Sequence, residues 1–385
     1  MNSPSCLARW VPAFGAIRRG ACLAAAAALA GCAPSDPAAR TAEVKDAGPA
    51  IVPLRTILLQ ENPHAFVGHP AQLAIDSATG DLFVADMFGK RILQFTRDGA
   101  LKRELGGVTD KGGHLRGLFD IVLHGSSVLA VDEKHHELSS YALATGDLEE
   151  RRPFRQLQPN MFSGPGSVVW TGGFDAAQHS MLSSWDLATD RRTTIVPMSR
   201  ELEGRKAWRS TWAAMATYWA DSMLVSLSAS NSLFIMTLDG TVLETVTIPV
   251  RRRRGVPESL LRQEGISSRD IQNGISQLFA FHRLGDGSVV LVFLENTIGA
   301  ERSDWTTRLW ISLINLDLHR ACVDTPLEIA SVSMPFPAFR ADTLFVLTQD
   351  VSEGAGKSVV RAFRTDPARC AWLPTTRGGT GTEPQ

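Results

Sequence analysis

The sequence has almost no charge bias, with 39 Lys and Arg against 40 Asp and Glu. A balanced surface gives no electrostatic case for a nucleic-acid partner, and none is expected. Signature motifs of several enzyme classes are missing: there is no P-loop, no G-x-S-x-G and no C-x-x-C. Ser163-Gly164-Pro165-Gly166 reads as a loop, since no helix follows it. Only two tyrosines occur, Tyr141 and Tyr218. Segments with the 3.6-residue apolar period are scarce, and "PESLLRQEGISSRDIQNGI" (257–275) alone reads as helical. That scarcity excludes a βαβ layout.

What is present begins with an address. Arg9, Arg18 and Arg19 precede the uncharged run Ala21–Gly31, which is far shorter than the about 20 residues a membrane helix needs. The run ends in Leu29-Ala30-Gly31-Cys32. This resembles the lipobox of bacterial lipoproteins, which implies cleavage before Cys32 and acylation of its thiol. Residues 1–31 are then a signal peptide, and the Ala/Pro-rich, aromatic-free stretch 32–50 a flexible tether. Ala33, in place of Asp, favours the outer membrane. The expected location is therefore the cell envelope, lipid-anchored and facing the periplasm. Residues 375–385 read as a disordered tail. Two cysteines remain in the body, Cys322 and Cys370. In an oxidising compartment an even pair points to a disulfide, two buried thiols being the alternative.

Residues 51–374 carry an internal repeat. "GDLFVADMFGKRILQFTRDGALKREL" (80–105) reads strand, loop, strand, Asp-Gly turn, strand. The pattern returns from Ser126, Ser167, Asp221, Gly287 and Asp342. Most copies follow another short apolar strand, such as "QLAID" or "GLFDIVL". Six four-stranded units spaced about 40–65 residues apart match the period of β-propeller blades.

The first unit, with its Pro70, Ala85-Asp86 and Asp98-Gly99, resembles an NHL-type repeat, and the second does so in part. The resemblance implies an all-β, six-bladed β-propeller of four-stranded antiparallel blades, and it implies no activity. Ile51–Gln60 should pair with the last unit to close the ring and remove an open sheet edge. A Cys322–Cys370 bond then requires the C-terminal segment to leave blade six and lie across blade five. Equivalent points on neighbouring blades would exceed the about 7 Å Cα separation a disulfide tolerates.

Candidate ligand-binding residues are Asp86 and Asp132, His69 and His114, and Trp212 and Trp219. The two aspartates end equivalent strands, and that recurrence favours the reading that they hold blade loops through Asx-type hydrogen bonds over ligand binding. The histidines precede the first strands of units one and two but lack metal-box spacing. The tryptophans suit a glycan or peptide, or simply interblade packing. Arg251–Arg254 is expected to be solvent-exposed, because adjacent cations cannot be buried unpaired. No cofactor is expected, with Ca²⁺ or Zn²⁺ the candidates if one is bound. A lactonase-type site would find only loose echoes in Glu61, Asn62 and Asn273. The sequence thus reads as a monomeric, membrane-tethered, non-catalytic binding or scaffold module for a protein, peptide or glycan. The alternative is a metal-dependent hydrolase, lactonase or lyase acting at the central channel.

Overall fold

The computed structural model describes residues 50–107, 115–154, 156–175, 179–198, 214–219, 221–257, 260, 263, 265–299, 306–327, 329, 334–350 and 356–378. All lie within one compact unit, Lys45–Gln385. Its first strand, β1 (Ala50–Leu58), belongs to the last blade. Blade one holds β2 (Pro70–Ile75), β3 (Leu82–Asp86), β4 (Arg91–Phe95) and β5 (Leu101–Leu105). Blade two holds β6 (Leu118–His124), β7 (Ser127–Asp132), β8 (Glu137–Ala142) and β9 (Leu148–Pro153). Blade three follows with β10 (Leu157–Ser163), β11 (Val168–Asp175), β12 (Ser180–Asp186) and β13 (Arg191–Pro197).

Blade four is built from β14 (Ala214–Trp219), β15 (Ser222–Leu227), β16 (Ser232–Thr237) and β17 (Val242–Thr247). The helix α1 (Ser268–Gly274) precedes blade five, which contains β18 (Gln277–Arg283), β19 (Val289–Thr297), β20 (Thr306–Asn315) and β21 (Arg320–Leu327). Blade six has β22 (Phe336–Arg340), β23 (Thr343–Asp350) and β24 (Lys357–Asp366), with β1 as its outer strand. The protein is a six-bladed β-propeller, as the repeat predicts.

Six buried apolar clusters fill the wedges between neighbouring blades. One of them joins Leu73, Val84 and Phe95 of blade one to Phe345, Leu347 and Val360 of blade six, so the ring is closed by packing as well as by pairing. The antiparallel β1–β24 ladder runs from Ala50↔Asp366 to Leu58↔Val359. Beyond it the chain turns into blade one, where the Gln60 N–H donates to the Gly99 carbonyl at 2.8 Å. Gly99 sits at φ +92°, and a Cβ there would lie 2.3 Å from the Leu58 carbonyl oxygen. The Asp98-Gly99 turn therefore fixes a hairpin and also admits the closing strand.

With β1 in the outer place, the C-terminal chain leaves blade six. Cys370 bonds Cys322 in β21 across a Cα separation of 5.5 Å. The strands β25 (Leu373–Pro374) and β26 (Thr376–Gly378) then add a fifth strand to blades five and four, on β21 and β17. The disordered tail expected from residue 375 thus starts too early. Residues 376–378 find open backbone groups on the edge of β17 and pair with them.

Two further expectations change. Of the helical segment 257–275, α1 covers Ser268–Gly274. Gly265 interrupts the chain at φ +67°, and the Ser267 hydroxyl accepts the Asp270 N–H as an N-cap. The arginine run is not uniformly exposed either. Arg251 and Arg252 are exposed, but Arg253 is buried at 3% exposure. Its guanidinium lies 3.9 Å over the Phe293 ring, bonds Asn231 Oδ1 at 3.0 Å and sits 3.2 Å from Asp324 Oδ1. Burial pulls its pKa down to about 10, against the carboxylate of Asp324 that holds it up. The opposing charge makes this burial tolerable, whereas an unpaired cation would not be.

A candidate ligand channel

Four antiparallel strands return the chain to the end where it started, so all six inner strands run the same way along the axis. They enclose a channel of about 1380 Å³. The sides are formed by β2, β6, β10, β14, β18 and β22, and residues such as Met87, Asn296 and Met334 complete the mouth where these strands begin. Phe119, Phe162, Phe279, Phe281 and Phe339 line it and remain partly exposed. Interspersed amides include Gln72, Asn160 and Gln277. Among the described residues the lining has no Lys, Arg or Glu, and Asp120 is its one carboxylate. His282 also lines it, stacked on Phe339 with ring centroids 5.0 Å apart; burial holds this imidazole below its usual pKa, against Asp342 and the Ala341 backbone.

Asp120 lies on β6 immediately after a register shift between Leu118 and Asp120. A similar shift falls between Pro70 and Gln72 on β2. Such bulges free a backbone N–H, and here the side chain accepts it: Leu73 N donates to Gln72 Oε1 and Ile121 N to Asp120 Oδ1. Gln72 Nε2 also donates to Asp120 Oδ1 at 3.0 Å, and Met161 N to Asp120 Oδ2 at 2.6 Å. One carboxylate therefore ties together the inner strands of blades one, two and three. Complete burial pushes its pKa up to about 6, partly offset by these donors. No ion pair to Asp120 is found among the described residues. "GLFDIVL" carries this acid openly, as a charge inside an apolar strand, and that is the signal by which it could have been found.

Asp86 and Asp132 occupy equivalent places at the ends of β3 and β7. Asp86 Oδ1 accepts the N–H groups of Gly68 and His69, at 3.1 and 3.0 Å. Asp132 accepts those of Arg116, Gly117, Lys134 and His135, and Nδ1 of His135 lies 2.8 Å from it. Burial alone would raise the Asp132 pKa, but these donors hold it below the usual carboxylate range. Both carboxylates thus fix the loop that leads into the inner strand of their own blade. Glu295 does the same in blade five, accepting the Ser276 hydroxyl at 2.7 Å and the Arg254 N–H at 3.1 Å.

The remaining candidates are spread out. His69 is exposed at the mouth and lines it. Trp219 ends β14, toward the opposite end, with the Arg283 guanidinium 4.1 Å from its ring centroid. His114 and Trp212 lie outside the described residues. Among the described residues no group of three His, Cys, Asp or Glu is placed to hold a metal ion. No helix among them is long and apolar enough to cross a membrane.

No family model matches the chain, and no curated protein matches it in sequence. Solved structures match in fold. A member of the DUF4221 family from Bacteroides vulgatus superposes with a TM-score of 0.59 at 11% identity, covering 84% of this chain and 99% of that one. A protein from Bacteroides fragilis whose name gives it as exported superposes with a TM-score of 0.58 at 10% identity, covering 84% of this chain and 96% of that one. The likeness is one of fold, and it places the chain among six-bladed β-propellers.

Proposed function

We propose that this protein is an exported binding propeller, tethered to the envelope membrane through acylated Cys32, whose ligand lies in the central channel. The observation that carries the reading is the channel lining. Five partly exposed phenylalanines and several amides surround about 1380 Å³, a volume suited to a small molecule or a peptide side-chain cluster. Solvent-facing phenylalanine on a packed scaffold is surface that gains by being covered. Met87, Phe88 and Met334, exposed at or beside the mouth, extend that apolar rim outward. The exported neighbour from Bacteroides fragilis supports export, and the lipobox resemblance supports anchoring. Ala33 favours the outer membrane, with the propeller on the periplasmic side. A monomer suffices for this role, since the site is formed within one chain.

The test uses the chain without residues 1–32, which leaves the compact unit intact. Nile red, a neutral dye that brightens in apolar surroundings, should bind at about one site per chain. Replacing Phe162 and Phe281 by Asp should weaken binding at least about tenfold while the far-ultraviolet circular dichroism is unchanged. Undiminished binding by that folded variant would remove the channel as the site. Stoichiometric Ca²⁺ or Zn²⁺ in the purified protein would instead favour the metal-dependent hydrolase reading.

A further inference from the structure

The channel combines two features that favour the same kind of occupant. Its wall carries aromatic rings from four blades: Phe119, Phe162, Phe279 with Phe281, and Phe339, the last with one face stacked on His282. Its formal charge among the described residues comes from one carboxylate, with no Lys or Arg to neutralise it. Resting on the reading of the channel as a ligand site, we propose that it takes an organic cation with an apolar body, such as a quaternary or alkyl-substituted ammonium group. The aromatic faces carry negative quadrupole density that attracts a cation and also cover its carbon atoms.

Asp120 supplies the net charge. At neutral pH it is mostly ionised, since its pKa lies at about 6. Both of its oxygens already accept backbone or amide N–H groups, from Ile121, Gln72 and Met161. It is therefore poorly placed to ligate a bare metal ion, which takes six or more oxygen ligands in the case of Ca²⁺. Its charge still acts on the channel, because a buried carboxylate is weakly screened. A weakly hydrated organic cation gains from that field without needing direct ligation. An anionic ligand would meet the same field as repulsion. Phe119 is its chain neighbour and Phe162 follows Met161, so the carboxylate and two of the aromatic faces share one part of the wall.

The test compares phenyltrimethylammonium with its neutral isostere tert-butylbenzene, two probes of the same shape. Titration calorimetry or ligand-observed NMR on the chain without residues 1–32 should show the cation binding about tenfold tighter or better. Phe162→Leu with Phe281→Leu keeps the site apolar but removes two quadrupoles, and should reduce that preference. Asp120→Asn should reduce it further, if the variant folds; the leucine variant provides the test if it does not. Equal or tighter binding of tert-butylbenzene overturns the cation proposal and leaves the channel reading standing. Binding of neither probe overturns both. A cation preference untouched by the leucine substitutions places the cation elsewhere and also overturns the proposal.

Discussion

Asp120 makes stability depend on pH in a direction opposite to most carboxylates. Its pKa rises from an ordinary 3.8 to about 6 in the folded protein, because burial outweighs its three N–H donors. The folded state therefore holds this proton more tightly than the unfolded chain does. The resulting stabilisation is fully present below about pH 3.8 and is lost as pH rises through about 6. The size follows from the two values: a shift near two units is worth on the order of 3 kcal/mol. Urea unfolding from pH 7.5 to 4.5, followed by circular dichroism, should give a wild-type curve that includes about 2 kcal/mol of this gain on acidification, the remainder falling below pH 4.5. Asp120→Asn should remove it, so the difference between the two curves isolates the group from Glu61, whose pKa burial also raises. The substitution has its own constant cost, since the new amide N–H₂ would face the Met161 N–H that now donates to Oδ2. Parallel curves for wild type and Asp120→Asn across this window would refute the argument.

Four other outcomes follow from the packing. Cys322→Ser should lower stability by about 4 kcal/mol, the chain-entropy value for a 48-residue separation, as read by denaturation with and without reductant. Gly99→Ala should cost about 2 kcal/mol or more and weaken protection of the β1 amides in hydrogen exchange, because its Cβ would meet the Leu58 carbonyl at a positive φ. Arg253→Ala leaves Asp324 buried without its cation, held by the backbone N–H groups of residues 251–253, with an expected loss of about 3 kcal/mol in the same unfolding assay. Cys32→Ser in the full chain should move the protein from the detergent phase to the aqueous phase in cloud-point partitioning; unchanged partitioning removes the anchor.

Much of the fold was legible because it is repetitive and local. The Asp98-Gly99 and Asp239-Gly240 turns mark hairpins without reference to the rest of the chain. Closure by β1 and the route of the C-terminal chain across blade five followed from two geometric constraints, an open edge and the reach of a disulfide. The Asp86 and Asp132 loops were legible because the same acid recurs at the same place. Arg253 was not, since its partner Asp324 lies 71 residues away and no local pattern announces the pair. The channel lining was hidden for a different reason. Bulges at Pro70/Gln72 and Leu118/Asp120 break the alternation of the inner strands. Counting by twos along "GLFDIVL" therefore misassigns which side chains face the axis. Leu118 and Ile121 are both buried although they are three positions apart.

The central claim is that a ligand occupies the phenylalanine-lined channel, and native mass spectrometry of the protein purified from the cells that make it addresses this directly. The account predicts a bound small molecule at about one per chain, absent from a folded Phe162→Arg, Phe281→Arg variant, which removes two aromatic rings and adds two positive charges to the lining. A ligand retained at full occupancy by that variant would contradict it.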